Sequence, residues 1–285
     1  MAGGTDGTGT ADGVDGVGRA GQAEKGAVLR RLHERGVFVV ANAWDAESAA
    51  MLTGLGFPAL ATTSGGLALA LGRPDAGNLI SRAEALANAA AIAEATTLPV
   101  TADLESGYGA TPDDVAETIR LAAAVGLAGG SIEDATGDPA APVRPLGEAV
   151  ERVEAAVAAA RALPFPFVIT ARAENHLYGR DDLADTIARL QAFEAAGADV
   201  LYAPGLPGAA EIRSVCAAVG RPVNVLAGRA VGSVAELAAL GARRVSLGSS
   251  LARAEARTPG AGRTAAEEVA TAGTFGFLAA PPASA

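Results

Sequence analysis

The sequence predicts a single α/β domain, a (β/α)₈ barrel of the TIM type, on three observations. Eight short apolar runs alternate with stretches that have a helical pattern. Such alternation is typical of parallel strands joined by right-handed helical crossovers. Eight units over about 250 residues match one barrel, and a chain of 285 residues with 50% hydrophobic residues can fill one core of that size. A doubly wound open sheet is the alternative architecture.

Eight strands are predicted where apolar and β-branched residues cluster. They lie at residues 37–41, 59–63, 100–103, 130–133, 167–172, 200–203, 223–225 and 244–247. Side chains branched at Cβ pack well on a pleated sheet. Short runs that are apolar throughout are typical of parallel strands that helices cover from outside.

Helices are predicted between the strands, for example at residues 81–96, 112–125, 146–162, 181–196 and 233–240. The helix after Thr111 has a well-marked start, because Pro112 and two acidic residues follow a capping hydroxyl at the positive end of the helix dipole. Gly197 and Gly241 each stand between a helix and the next strand, where glycine commonly ends a helix. No glycine-rich dinucleotide motif or phosphate-binding loop follows a predicted strand.

The two ends of the chain contain little that could be buried. Residues 1–21 are mostly Gly, Thr, Asp and Ala, which predicts a disordered tail. Residues 22–278 are assigned to the barrel domain with a C-terminal helical segment, and residues 279–285 to a frayed end. His33 lies in the helical stretch ahead of the barrel and is expected at its surface.

Composition excludes several classes of function. A net charge of −10 disfavours nucleic acid and anionic membrane surfaces as partners. A single cysteine, Cys216, rules out an intramolecular disulfide framework and is expected in the core. No apolar run has the length of a membrane span and no signal sequence opens the chain, so we expect a cytoplasmic protein.

Acidic residues end two neighbouring strands, and they are the most informative feature of the sequence. Asp103 and Glu105 are two residues apart, so they share one face of a strand, while Glu133 and Asp134 end the next strand. Burying such acids alone is costly, and their grouping therefore predicts a shared cation. Oxygen ligands without cysteine or histidine nearby favour Mg²⁺ or Mn²⁺ over zinc.

Donor groups are predicted at the same end of the barrel, where the active sites of such barrels lie. The loop of residues 62–66 is small and offers backbone N–H groups for a carboxylate or enolate oxygen. Arg172 ends the fifth strand and is a planar donor for a substrate carboxylate, although a structural ion pair is the alternative. Further polar residues at this end are Asp75, Glu174, His176 and Asn224.

These residues form motifs that resemble the isocitrate lyase/phosphoenolpyruvate mutase superfamily. The matching segments, in order over residues 37–255, are Asn42-Ala-Trp-Asp-Ala46, Leu71-Gly-Arg-Pro-Asp75, Thr101-Ala-Asp-Leu-Glu-Ser-Gly-Tyr-Gly109, Ser131-Ile-Glu-Asp134, Arg172-Ala-Glu174, Ala196-Gly-Ala-Asp199 and Asn224-Val-Leu-Ala227. The Asp-x-Glu-x-Gly-Tyr-Gly and Ile-Glu-Asp elements carry most of the resemblance.

The resemblance implies a barrel that binds Mg²⁺ and an α-keto acid or enolate-like ligand. Asp103 would be the principal metal ligand, and Asp75, Glu105 and Glu133 would hold the ion mainly through water. The substrate-binding residues would be Thr62, Thr63, Ser64, Gly65, Arg172 and Asn224. The candidate catalytic residues are Arg172, Glu133, Tyr108 and His176.

One loop departs from the better-known members of the superfamily. Isocitrate and methylisocitrate lyases carry a Lys-Lys/Arg-Cys-Gly-His motif after strand four, with the cysteine as the acid–base group. Residues 135–144 contain no cysteine, histidine or lysine, and they also lack the Lys-Thr-Asn-Ser-type loop of the phosphoenolpyruvate mutases. His176, Tyr108 or a metal-bound water would then serve as the acid–base group.

The sequence therefore predicts a Mg²⁺- or Mn²⁺-dependent carbon–carbon lyase for a small α-keto or α-hydroxy carboxylic acid. The alternatives are a phosphonomutase or phosphonopyruvate hydrolase, and a keto-acid-binding protein without catalysis. The resemblance further implies a homo-oligomer, a tetramer or dimer. Residues 264–276 are a candidate contact segment, with the apolar Phe275, Phe277 and Leu278 near it.

Overall fold

Eight parallel strands form a closed barrel in chain order, so the predicted architecture is confirmed. The computed structural model describes residues 12–75 and 79–278, with side chains from residue 21. The strands are β1 (Phe38–Asn42), β2 (Ala59–Ala61), β3 (Val100–Asp103), β4 (Gly129–Glu133), β5 (Val168–Arg172), β6 (Val200–Tyr202), β7 (Val223–Leu226) and β8 (Arg244–Ser246). Each lies within two residues, at either end, of the strand predicted from the sequence.

The helices lie between the strands and after the last one. They are α1 (Asp12–Leu32), α2 (Ala46–Gly54), α3 (Ser64–Ala70), α4 (Arg82–Glu94), α5 (Pro112–Ala124), α6 (Leu146–Arg161), α7 (Leu183–Ala195), α8 (Ala209–Ala218), α9 (Val234–Ala239), α10 (Ser250–Arg257) and α11 (Ala261–Ala272). Two short 3₁₀ helices cover Asn175–Tyr178 and Gly276–Leu278. None of these described helices has both the length and the apolar character needed to cross a membrane.

Helix starts follow the capping chemistry of the sequence. Thr111 accepts a hydrogen bond from the Asp114 N–H, and the Asp114 side chain accepts from the Thr111 N–H in return. Ser81 and Glu84 form the same reciprocal arrangement at the start of α4. Because such caps satisfy N–H groups that the helix cannot, they fix where each helix begins.

The barrel closes where β1 pairs with β8. Phe38 lies opposite Arg244, and Val40 lies opposite Ser246. The lower part of the lumen holds an apolar cluster of eight buried residues: Leu29, Phe38, Val40, Ala59, Ala61, Ala128, Val168 and Val200. Leu29 belongs to α1, so this helix covers the amino-terminal end of the barrel and leaves the carboxyl end for the site.

Three expectations about the chain ends and His33 can be compared with the structure. Helix α1 begins at Asp12, inside the segment assigned to a tail, and residues 1–11 and 279–285 lie outside the described residues. Phe275 is buried in the main core of its own chain, and Phe277 and Leu278 pack against that core. The expectation of a surface position for His33 was wrong, because α1 lays its ring against Phe38 in the barrel floor.

Candidate active site

A cavity of about 920 Å³ opens at the carboxyl ends of the strands. Ten of the twelve residues predicted for the site line it: Thr62, Thr63, Ser64, Gly65, Asp75, Asp103, Glu105, Glu133, Arg172 and Asn224. Parallel strands bring their carboxyl ends to one face of the barrel, and residues distant in sequence therefore meet there.

Arg172 is the centre of the polar network in this cavity. Its guanidinium lies 2.8 Å from Asp103, 3.2 Å from Glu133 and 2.9 Å from Glu174. Burial disfavours the positive charge, but the carboxylates of Glu174, Asp103 and Glu133 outweigh burial and raise the pKa of Arg172. The arginine is therefore permanently charged, and its fork holds three acids from strands β3 and β4 and from the end of β5 in one place.

Asp103 is held in its ionised form at the start of α3. Its Oδ2 accepts hydrogen bonds from the Ser64 hydroxyl at 2.8 Å and the Ser64 N–H at 3.3 Å. Burial opposes ionisation, yet Arg172 and these two hydrogen bonds lower the pKa of Asp103 below its ordinary value. Thr62 fixes the backbone on the same side, because its hydroxyl accepts from the Asp103 N–H.

The loop after β2 approaches the acids closely because it contains glycine. Thr63 caps α3 by accepting a hydrogen bond from the Gly66 N–H. A side chain at Gly65 would collide with the carboxylate of Asp75. Asp75 in turn lies 2.8 Å from Arg253 of α10 and is half exposed. The small loop therefore places hydroxyl and backbone donors against the acidic side of the cavity.

The turn after β3 is strained. Glu105 and Tyr108 adopt positive φ angles of 47° and 54°, which non-glycine residues rarely do. Such conformations cost about 1–3 kcal/mol each and are commonly found at functional sites. The buried guanidinium of Arg152 holds the turn by donating to the carbonyls of Ser106 and Gly109 at 2.6 and 2.8 Å.

This strained turn presents an unpaired carboxylate to the cavity. One oxygen of Glu105 is buried and has no hydrogen-bond partner among the described residues. Burial, followed by the charges of Asp103 and Asp75, raises the pKa of Glu105 to about 8. Burial also raises the pKa of Glu133, with a further contribution from Glu174. Glu105 is thus protonated at neutral pH unless a cation joins it.

Asp134 supports the site from behind the strands. It accepts a hydrogen bond from the Glu174 N–H at 2.8 Å and lies 3.1 Å from Arg189 of α7. This arrangement positions the end of β5, on which Glu174 follows Arg172. Asp134 is buried away from the cavity, so its role is structural.

Two predicted catalytic residues do not line the cavity. Tyr108 lines a separate, smaller cleft with Arg82 and Arg144, and its buried hydroxyl has no partner among the described residues. His176 is buried within the 3₁₀ helix, with its Nδ1 3.4 Å from Asp181. Burial, followed by the nearby charges of Glu105, Asp103 and Glu133, raises the pKa of Tyr108.

Several residues of the cavity were absent from the predicted site. They are Tyr178, Tyr202, Arg244 and Ser246, together with Gly137, Asp138, Pro139 and Pro142 from the loop after β4. Glu174, which the sequence placed at this end of the barrel, lines the cavity as expected. Tyr202 lies against Arg172, with the guanidinium carbon 5.2 Å from the ring centroid. Arg244 and Ser246 are two apart on β8, so the alternation of a strand could have placed both in the lumen.

A family model described as phosphoenolpyruvate phosphomutase matches residues 29–270, which include all eight strands. The chain belongs to this family. It is thereby placed in the isocitrate lyase/phosphoenolpyruvate mutase superfamily, as its motifs predicted.

Relatives with a named activity support the conclusion that the chain is an enzyme of this superfamily. An uncharacterized protein of Mycobacterium tuberculosis is 34% identical over 76% of this chain and 80% of its own length. An oxaloacetate decarboxylase of Bradyrhizobium diazoefficiens is also 34% identical, over 63% of this chain and 62% of its own length.

Solved structures show the same fold. A Burkholderia cenocepacia protein described only as a lyase or mutase is 54% identical, with a TM-score of 0.81 over 93% of this chain and 94% of that one. A 2,3-dimethylmalate lyase is 29% identical, with a TM-score of 0.75 over 88% of this chain and 89% of that one.

Proposed function

We propose that the chain is a Mg²⁺-dependent carbon–carbon lyase acting on a small α-keto or α-hydroxy carboxylic acid. The observation that carries this proposal is the cluster of Asp103, Glu133 and Glu174 around Arg172, beside the unpaired acid Glu105. Relatives described as 2-methylisocitrate lyase, oxaloacetate decarboxylase and 2,3-dimethylmalate lyase support the reaction class.

The donor set fits a hard divalent cation. Six acidic residues line the cavity: Asp75, Asp103, Glu105, Glu133, Asp138 and Glu174. Arg172 offsets only part of their charge, and one buried oxygen of Glu105 has no protein donor in the described part of the chain. Oxygen ligands of this kind suit Mg²⁺ or Mn²⁺.

The residues that would hold the ion are Asp103 and, around it, Asp75, Glu105 and Glu133. Within residues 12–75 and 79–278, no three acidic, histidine or cysteine side chains converge closely enough to hold an ion by themselves. The superfamily resemblance implies Asp103 as the direct ligand, with the other carboxylates acting through water. When bound, Mg²⁺ would offset the negative charge that develops on an enolate oxygen during bond cleavage.

The chain's own residues would bind and orient the acid. Thr62, Thr63 and Gly65 line the cavity beside Asp103, where a substrate carboxylate or keto oxygen could accept from their hydroxyl and backbone N–H groups. Arg172 adds a fixed planar donor beside the carboxylate oxygen of Asp103 that Ser64 does not contact. The loop after β4 adds Gly137, Pro139 and Pro142 to the cavity wall.

The geometry favours a different residue as the acid–base group. Because Tyr108 and His176 do not line the cavity, we propose Glu133, which does. Burial raises the pKa of Glu133 well above its ordinary value, which favours proton uptake there. A protonated carboxylic acid next to the reacting atoms can donate that proton to a carbanion or enolate.

A panel assay tests the reaction class. The purified protein is incubated with Mg²⁺ and oxaloacetate, 2-methylisocitrate, 2,3-dimethylmalate or phosphonopyruvate, and released pyruvate or glyoxylate is measured. EDTA and Mg²⁺ without protein are the controls. We expect release from one of the carboxylic acids that requires both the protein and Mg²⁺.

Two variants make the assay specific. Asp103→Asn removes the ionised ligand at constant size, and we expect turnover to be lost and Mn²⁺ binding to be much weaker by calorimetry. The matched control is Asp113→Asn, an exposed acid of α5 with no contact to the cavity. Full turnover in Asp103→Asn would contradict the assignment.

The alternatives predict other products. A phosphonomutase or phosphonopyruvate hydrolase would change the ³¹P NMR spectrum of phosphonopyruvate and leave the carboxylic acids intact. A binding protein would show Mg²⁺-dependent binding of oxalate without turnover of any acid. Either result would replace the lyase proposal.

A further inference from the structure

Arg244 is a second arginine of the cavity, and the lyase proposal gives it no role. It is the first residue of β8 and is 4% exposed inside the lumen. It lines the same cavity as Arg172, together with Thr101, Ser131 and Asn224. These small side chains leave the lumen open below the acidic cluster, so the cavity extends down to the guanidinium.

The protein partners of Arg244 are all neutral. Its Nε donates to Asn224 Oδ1 at 2.9 Å, and one terminal nitrogen donates to Thr170 Oγ1 at 3.0 Å. The other terminal nitrogen lies 3.5 Å from His33 Nε2. No carboxylate of the described residues comes within 4 Å, the distance at which an ion pair would be formed.

His33 is itself uncharged. Its Nδ1 lies 2.8 Å from the Leu29 carbonyl, which accepts a hydrogen bond only if that nitrogen carries a proton. Burial, followed by the charge of Arg244, lowers the pKa of His33 to about 3. The ring therefore presents Nε2 as a neutral acceptor that orients Arg244 without neutralising it.

Two other buried arginines contact acids, and a third, Arg152, lies outside the cavity and donates to three backbone carbonyls. Arg172 contacts three carboxylates, and Arg189 contacts Asp134 and Asp185. A buried cation without an anionic partner is costly. Burial lowers the pKa of Arg244 only to about 10, so the group is still charged at neutral pH. Its placement on the cavity wall is explained if a ligand supplies the anion.

We propose that Arg244, with Asn224 and Ser246 beside it, binds a second carboxylate of the substrate. The enzyme would then prefer dicarboxylic keto acids to monocarboxylic ones. Asn224 is well placed to support this subsite, because its amide accepts from Arg244 and donates to Ser246 at 2.9 Å. The inference rests on the proposed function for the first carboxylate, which would bind at residues 62–65 and Arg172.

Matched pairs of ligands test the subsite by calorimetry in Mg²⁺. 2-Oxoglutarate and 2-oxoadipate carry a second carboxylate, and 2-oxopentanoate and 2-oxohexanoate carry a methyl group in its place. We expect at least one diacid to bind about tenfold or more tightly than its monoacid, since a charge-assisted pair forms out of water. This comparison needs no variant.

The variants are Arg244→Gln and, as the control, Arg243→Gln. Arg243 is the preceding residue, and it is exposed and outside the cavity. Arg244→Gln should abolish the preference for the diacid and leave the affinity for the monoacid within about twofold, because only the second carboxylate loses its partner. Arg243→Gln should keep both affinities. Circular dichroism and thermal melting check that each variant is folded.

The outcomes separate the two proposals. If no keto acid binds to the wild-type protein, the proposed function fails. If monoacids bind and neither diacid binds more tightly, the subsite at Arg244 is overturned while the proposed function stands. A preference that persists in folded Arg244→Gln would also overturn the subsite, because the second carboxylate would then bind elsewhere.

Discussion

Single residues in the cavity owe their protonation states to their neighbours. Asp103 and Glu105 are two residues apart on one segment, yet the pKa of Asp103 is lowered while that of Glu105 is raised to about 8. Arg172 and Ser64 donate to Asp103, whereas the buried oxygen of Glu105 receives no donor among the described residues. One acid is therefore ready to bind a cation, and the other must first lose a proton.

The raised pKa of Glu105 makes stability depend on pH. Its ordinary pKa is 4.5, so between pH 4.5 and about 8 the folded protein holds a proton that the unfolded chain has released. Stability from this group is complete below pH 4.5 and is lost as pH rises toward 8. In Glu105→Gln this contribution disappears. We expect the free energy of unfolding of the wild type, relative to the variant, to fall as pH rises through this window.

Urea unfolding in EDTA at about pH 5, 6.5 and 8 measures this difference. The lowered pKa of His33 has the opposite effect. Below pH 6.5, the ordinary pKa of histidine, this group lowers the free energy of unfolding as pH falls. That contribution is the same in both proteins and cancels in the comparison. Glu154→Gln, on the exposed face of α6, is the control. A difference independent of pH would show that Glu105 is ionised in the folded protein.

At the scale of elements, the turn between β3 and α5 depends on a helix distant in sequence. Arg152 of α6 reaches the carbonyls of Ser106, Gly109 and Ala110 at 2.6–3.2 Å. These bonds hold a turn in which Glu105 and Tyr108 have positive φ angles. The strain is thus balanced by one buried side chain.

Arg152→Met tests this dependence. The change leaves buried carbonyls without donors and should lower the free energy of unfolding by about 3 kcal/mol. We also expect faster hydrogen exchange at residues 104–111 than in the rest of the barrel, and weaker Mn²⁺ binding. Arg120→Met, at an exposed position of α5, is the control. Exchange that rises equally throughout the molecule would show that the turn does not depend on Arg152 in particular.

At the scale of the whole molecule, exposed apolar side chains indicate where copies of the chain could associate. The apolar residues of the C-terminal segment are partly covered by their own chain, since Phe275 is 4% exposed and Phe277 and Leu278 pack on the core. Large apolar side chains that do remain exposed include Leu69 and Leu71 at the end of α3. This patch is a candidate contact between copies.

We expect a dimer or tetramer in solution, as the superfamily resemblance implies. Light scattering at two protein concentrations should give a mass two or four times that of one chain. Leu69→Lys with Leu71→Lys would lower this mass if the patch is the contact, because charges would be buried in the interface. Their control is Leu79→Lys, another exposed leucine of the described surface. A single-chain mass at both concentrations would contradict the prediction.

Much of this organisation follows from the sequence. The alternation of apolar runs and capped helices is local, and all eight strands lie where it predicts them. The acids at the ends of β3 and β4 and Arg172 could be placed together because parallel strands end on one face. The motifs also indicated the superfamily to which the chain belongs.

The tertiary structure decided which side chains line the cavity and which residues distant in sequence meet. His176 and Tyr108 stand next to site residues in sequence, but in the folded chain neither lines the cavity. Arg244 and His33 are far apart in sequence and meet only when α1 covers the barrel floor. Sequence spacing predicts which residues share an end of the barrel, whereas burial and the absence of an anionic partner are properties of the closed lumen.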